Sequence, residues 1–204
     1  MRWSPDARER LERAAFELFA EQGYQATTVP QITARAGLTT RTFFRHFADK
    51  REVIFAGDEI PDVARAALAA APPDLDPLDI VVHGLHRVAD ERFEGRHDQV
   101  RAVRRLILSE PSLRERDARK RADLTDAVRQ GFVDRGLDAS DAAAVAETAV
   151  VLFHLALESW LDGPADRRMA DVVDEQLGRL RAVLDGRPAS SRFVTRRDGR
   201  RNAT

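Results

Sequence analysis

Between Thr39 and His46 the chain gathers side chains suited to gripping a polyanion: Thr39, Thr40, Arg41, Thr42, Phe44, Arg45 and His46. Arginine presents a planar fork of donors that fits guanine N7 and O6, and threonine offers a hydroxyl and a methyl for a phosphate or a thymine. Phe44 can pack on a sugar or a thymine methyl. Thr28 and Lys50 flank the stretch where helices should begin, and free amides at a helix start favour phosphate. The chemistry on offer is therefore recognition of double-stranded DNA, with Arg41 best placed for a base edge. Covalent chemistry has no such support. The chain lacks cysteine and has no serine-nucleophile or phosphate-loop pattern, so no catalytic residue, cofactor or metal is expected.

To reach a groove these side chains must stand on a short, firmly held helix. Thr28-Val29-Pro30-Gln31 reads as a capping box; Ile32 and Ala36 face inward and Gly37 makes the turn. Thr39 caps the next helix, whose Phe43 and Phe47 share one buried face. That is a helix-turn-helix. Ahead of it, Ser4-Pro5 starts a first helix that Gly23 stops. Behind it, Asp49-Lys50-Arg51-Glu52 reads as a second capping box. It should open a fourth helix that runs to about Ala70 and links the DNA reader mechanically to the rest.

The remainder predicts helices over about 78–93, 98–109, 112–134, 140–161 (capped by Ser140) and 166–184, separated by proline and glycine. β-branched runs are scarce. The expected fold is all-α with about nine helices. A helix-turn-helix DNA-binding domain spans 1–52, a helical ligand-binding and dimerisation domain 53–186, and a disordered basic tail 187–204. Net charge is −1 overall, but residues 1–52 carry +2, residues 186–204 carry +5, and the body about −8. Arg35, Arg41, Arg45, Lys50 and Arg51 should form a basic face for phosphates. The longest near-uniform apolar run, Val150–Leu157, is too short to span a bilayer, and no secretory signal is visible. A cytoplasmic protein without membrane attachment is expected.

The words FELFAEQGYQATTV at 16–29, ITARAGLT at 32–39 and TFFRHFADK at 42–50 resemble the TetR family of bacterial regulators. The resemblance covers roughly residues 8–55. It implies a homodimer that reads a palindromic operator, with repression relieved by a small-molecule effector bound in the body. Family members often carry tyrosine where this chain has Phe44, which cannot donate to a phosphate; Arg45 is the expected replacement.

Val82, His83, His86, Phe93, Val103, Leu106, Ile107, Leu124, Val128 and Phe132 are the expected lining of an apolar effector pocket. A hydrophobic or amphipathic effector follows. Residues 142–161 are apolar around much of a helix, so they need cover on more than one side. Paired with the striped helix 166–184 they predict a four-helix dimer interface anchored by Phe153, Leu157, Trp160, Leu177 and Leu180. His83 and His86 share a helix face but do not complete a metal site. Glu94-Gly95-Arg96-His97 is one interrupted copy of a motif that needs two. His154 and Glu158, one turn apart, read as a buried polar pair or a dimer contact. The competing readings are a metal-dependent helical-bundle enzyme and a ligand-binding protein without specific DNA binding.

Overall fold

The first helix carries Leu11, Ala14, Ala15, Leu18 and Phe19 at the spacing of one helical face, and all five are buried. In the computed structural model, which describes residues 6–55 and 60–186, this helix is α1, Ala7–Gln22. The expected Ser4-Pro5 start and the basic tail 187–204 lie outside the described residues. Gly23, at φ +84°, ends α1. Helix α2, Val29–Ala36, opens on the full capping box: Thr28 accepts from the Gln31 amide, and Gln31 accepts from the Thr28 amide at 2.8 Å. Gly37 turns the chain in the left-handed region, φ +63°. Arg10 of α1 donates to the Ala36 carbonyl, closing that end. Helix α3, Thr40–His46, starts under Thr39, which accepts from the Thr42 amide at 3.1 Å.

The fourth helix is shorter than the sequence suggests. Helix α4 is Lys50–Ile54, and α5 begins only at Ile60 and runs to Ala70. Val53, Ile54 and Phe55 are buried with Leu11, Leu18, Ile32, Phe43 and Phe47 in the head core. A domain boundary after residue 52 would therefore cut a helix packed on one side. Asp49 caps α4 by accepting from the Arg51 and Glu52 amides, but Glu52 does not complete the box. Its carboxylate lies 2.7 Å from Arg116 Nε across the molecule.

The body comprises α5, α6 (Pro77–Val88), α7 (His97–Ser109), α8 (Pro111–Asp134), α9 (Ala139–Leu161) and α10 (Met169–Leu184); with α1 to α4 this makes ten helices among the described residues. No strand occurs among them. The count exceeds the expected nine because α4 and α5 are separate. Asp138, not Ser140, caps α9, accepting from the Ser140 and Asp141 amides. Helix α6 runs on into a π turn, Ala89–Phe93. Its wider winding shifts the side-chain register. Phe93 is buried there, its ring centroid 5.9 Å from Phe153 and 5.8 Å from Trp160. Helix α9 is the body's core helix. By length and composition alone it could cross a membrane, since Ala139–Ala149 extends the apolar run. Here it is covered instead by α8 and α10, with Ala142, Ala146, Leu152 and Ala156 buried.

Head and body meet at the corner between α7 and α8, where Ile107 and Leu113 are buried in the head core and Val103 and Leu106 pack beside them. Gln25 bonds to Glu110, and Lys120 stands over the Phe55 ring. The mechanical link expected of one long fourth helix is instead this corner, together with α4.

Candidate nucleic-acid interface and effector cavity

Helix α3 is clamped from below. Phe43 is fully buried, Phe47 nearly so, and their rings stand 5.4 Å apart. Helical periodicity then sends Thr40, Arg41, Phe44 and Arg45 to the opposite, exposed face. Phe44 is 59% exposed, its ring edge-on to Phe43 at 5.4 Å. Neither Arg41 nor Arg45 has a carboxylate partner among the described residues; Arg45 lies 3.3 Å from His46 Nε2. Thr28 and Thr39 are exposed while serving as caps, and Thr42 shares a hydrogen bond with Thr39.

The broader basic face expected from the sequence contracts to those two arginines. Arg35 is held by Glu21 at 2.7 Å and by Glu17 at 3.4 Å. Arg51 turns back onto Asp49. Lys50 is a structural staple: its ammonium donates to the carbonyls of Tyr24 at 2.6 Å and Thr27 at 2.7 Å and sits 4.1 Å from the Tyr24 ring. Burial holds its pKa below the ordinary lysine value, and burial pushes the Tyr24 phenol up to about 12. Lys50 is therefore not presented to a phosphate. Sequence spacing placed it at a helix start, but the α1–α2 turn that folds over it is a tertiary contact.

Two cavities stand out among the described residues. The smaller, about 50 Å³, is apolar and lies among α5, α6, α8 and α9. Leu124, Val128 and Phe132 line it as expected. Val82, His83 and His86 do not: α6 turns Ile80, Val81, Gly84, Leu85 and Val88 inward, which leaves those three off the wall. His83 is exposed, and His86 meets Asp174 of α10 at 2.9 Å. Both faces of α6 carry valine, so its periodicity alone did not fix which one points in.

The larger cavity, about 240 Å³, lies between head and body. Phe93, Val103, Ile107 and Leu124 line it as expected, whereas Leu106 turns to the head core. Phe16, Ile54 and Phe55 form its head-side wall. Sequence reading missed its polar side, where Arg92, Arg96, Arg104, Lys120 and Arg121 stand against the carboxylates Glu12 and Asp117. These charges lie between apolar positions on α1, the π turn, α7 and α8 and read as solvated; only tertiary packing brings them to one cavity. Arg104 is fixed by Asp117 at 2.9 Å and Glu158 at 3.0 Å.

His154 also lines this cavity, its Nδ1 donating to the Val150 carbonyl at 2.7 Å. Burial holds its pKa below 6.5, and the nearby Arg121 charge acts in the same direction. His154 and Glu158 thus bond elsewhere, not to each other. His97 is buried, with Nε2 3.1 Å from the Trp160 carbonyl. No group of three or more metal-ligating side chains converges among the described residues.

Of the expected dimer anchors, Phe153 and Trp160 are core residues, 5% and 2% exposed, and Trp160 Nε1 donates to the Arg167 carbonyl at 2.8 Å. Leu177 is buried too, Leu157 packs against the core and lines the larger cavity, and Leu180 is half-buried. The exposed apolar side chains on these helices are Val151 and Leu155 of α9 and Val183 and Leu184 of α10. An all-round apolar helix hides which of its faces the monomer itself covers.

Comparison with known proteins places these features. Residues 12–56, from within α1 to just past α4, match the family described as bacterial regulatory proteins, tetR family. The chain is 39% identical over 112 residues to the HTH-type transcriptional regulator TcmR of Streptomyces glaucescens, an alignment spanning 52% of this chain and 50% of that one. It is 26% identical over 194 residues to the HTH-type transcriptional repressor AcnR of Corynebacterium diphtheriae, covering 90% and 92% of the two chains. Its fold is similar to that of Thermus thermophilus FadR, a TetR family transcriptional repressor solved in complex with lauroyl-CoA. That likeness has a TM-score of 0.50 at 22% identity, over 91% of this chain and 97% of the other. The capped helix-turn-helix at residues 12–56 matches the tetR family, and the all-helical chain as a whole is similar to transcriptional regulators of this type.

Proposed function

We propose that this protein is a one-component repressor: a cytoplasmic homodimer whose two α3 helices read a palindromic double-stranded operator and let go when a small molecule enters the body. The observation that carries this reading is the exposed face of α3. Thr40, Arg41, Phe44 and Arg45 project together from a helix locked by Phe43 and Phe47, and the two arginines lack carboxylate partners among the described residues. Their charge is free to meet phosphates and guanine. Thr28, Thr39, Thr42 and His46 complete the contact set. Two such helices must stand roughly 34–36 Å apart to enter successive major grooves. The apolar residues left exposed on α9 and α10 supply the dimer face that sets this spacing.

Release follows from where the larger cavity lies. A ligand there touches Phe16, Ile54 and Phe55, so it bears on the head core directly. Coupling is reciprocal: operator DNA must weaken effector binding by the factor by which effector weakens operator binding. Repression, rather than activation, is supported by AcnR, a named repressor aligned over nearly its whole length.

Selection of random duplexes by the intact protein at moderate salt tests the reading. Enrichment of an inverted repeat with half-sites one helical turn apart is expected. If no sequence is enriched, the proposal fails and a ligand-binding protein without specific DNA binding takes its place.

A further inference from the structure

The larger cavity joins two unlike surfaces. Toward the head and the body core its wall is apolar, with Phe16, Phe55, Phe93 and Leu157. Its other side carries Arg92 of the π turn, Arg96 just ahead of α7, Arg104 of α7 and Lys120 and Arg121 of α8, with the carboxylates Glu12 of α1 and Asp117 of α8; Arg92, Arg104 and Lys120 are already engaged within the protein. Those two carboxylates already serve neighbours, Glu12 pairing with Arg8 at 2.9 Å and Asp117 with Arg104 at 2.9 Å. Arg96 and Arg121, at the exposed rim, have no carboxylate partner among the described residues. The small apolar cavity shares Ile60, Leu124 and Phe153 with this wall, so an apolar chain entering the large cavity has a dry space beyond it.

We infer that the effector is an amphipathic anion, a molecule with one anionic group held at the rim by Arg96 and Arg121 and an apolar chain laid past Leu124 and Phe153. This deepens the functional reading above and rests on it only for the word effector. The charge argument is local. An apolar cavity by itself selects for size, and two guanidinium groups at its rim without carboxylate partners among the described residues, Arg96 and Arg121, select for an anion. Each guanidinium adds a charge-assisted contact, directed where the anion is carboxylate or phosphate. The neutral isostere gives up those contacts, and a cation meets repulsion. Arg104, tied to Asp117 and Glu158, shapes the wall, and its own charge is already met by those two carboxylates.

The test uses the full chain without DNA and three probes of equal chain length, octanoate, 1-octanol and octylammonium, with hexanoate to dodecanoate as a length series. Binding is read calorimetrically. The expected result is that octanoate binds about tenfold more tightly than octanol, with octylammonium weakest. Affinity should rise with carboxylate length and then level off as the two cavities fill. Arg96→Gln with Arg121→Gln should bring octanoate and octanol to within about twofold of each other while the thermal midpoint stays put, both residues being solvent-exposed. Equal binding of the three probes, failure of every carboxylate to bind, or a preference that survives the double substitution overturns the inference. Operator affinity of the ligand-free double variant is measured alongside. An unchanged value keeps the DNA-binding reading intact whatever the probes do, and lost ligand selectivity then concerns the cavity alone.

Discussion

Arg41 and Lys50 look equivalent in the sequence, two cations beside helix starts, yet the fold gives them opposite work. Arg41 projects from α3 into solvent. Arg41→Ala should lower affinity for the selected operator by about 1–3 kcal/mol and relax preference at one position per half-site, with the unfolding midpoint unchanged. Titration of operator and single-base variants checks this. Lys50 instead ties the α1–α2 turn to α4 through two carbonyls. Lys50→Met keeps the stem and removes the charge-assisted bonds, so it should destabilise the fold by about 2 kcal/mol in denaturant melts. A smaller salt slope with no stability loss would mean that Lys50 grips phosphate after all. His154 belongs to the same scale. Its folded pKa lies below 6.5, so the unfolded chain binds more protons just under that pH. Stability should therefore fall as pH drops through 6.5 and level off below the folded value. Arg121 and Arg104 reinforce the depression and Asp117 opposes it. His154→Gln should flatten this part of the pH profile, and melts between pH 7.5 and 5 provide the comparison.

At the scale of elements, two glycines on the helices that pack against α5 test how closely the body packs. A Cβ on Gly84 of α6 would meet only Ala67 Cβ, at 3.7 Å, an ordinary contact. Gly84→Ala should stabilise the chain by about 0.5–1 kcal/mol through helix propensity. A Cβ on Gly131 of α8 would stand 2.6 Å from Leu68 Cδ1. There Leu68, which lines the small cavity, must swing aside, so Gly131→Ala should lose that gain and return a net change near zero or unfavourable. Paired thermal melts decide; equal stabilisation by both would mean that α5 and α8 approach less closely than described. The helix starts and stops themselves were legible, because caps and glycines act within a few residues. Thr28, Gln31, Gly37 and Thr39 behave as spacing predicts. The long fourth helix was not, because Phe55 leaves it to enter the head core, and that contact is made with α1 and α8.

For the whole molecule, the proposed dimer needs a face that the single chain leaves uncovered. Trp160 and Phe153 cannot supply it, since the monomer buries them. Val151→Asp with Leu155→Asp, on the exposed face of α9, should yield a folded monomer with sharply reduced operator affinity. Light scattering and DNA titration on the same preparation test this, and a variant that remains dimeric moves the interface elsewhere. Trp160→Ala should instead unfold the body, at a cost of about 3–5 kcal/mol. The head is joined to the body at α7 and α8 as well as along the chain, so an occupied cavity and a displaced head share one set of contacts.

Local chemistry was enough for much of this. Residues 28–47 specify a helix-turn-helix by themselves, because caps, a glycine turn and a two-phenylalanine face are interactions between near neighbours. The all-helical class and the exposed reading face of α3 follow from the same short-range periodicity. What periodicity leaves open is any question about a residue with two possible neighbours: which valine face of α6 turns inward, whether Lys50 meets solvent or carbonyls, whether Trp160 faces a partner or the core. Those answers come from helices far apart in the chain. The polar wall of the large cavity is the clearest case, since Arg96, just ahead of α7, and Arg121 of α8 come to line one cavity only when those helices pack side by side.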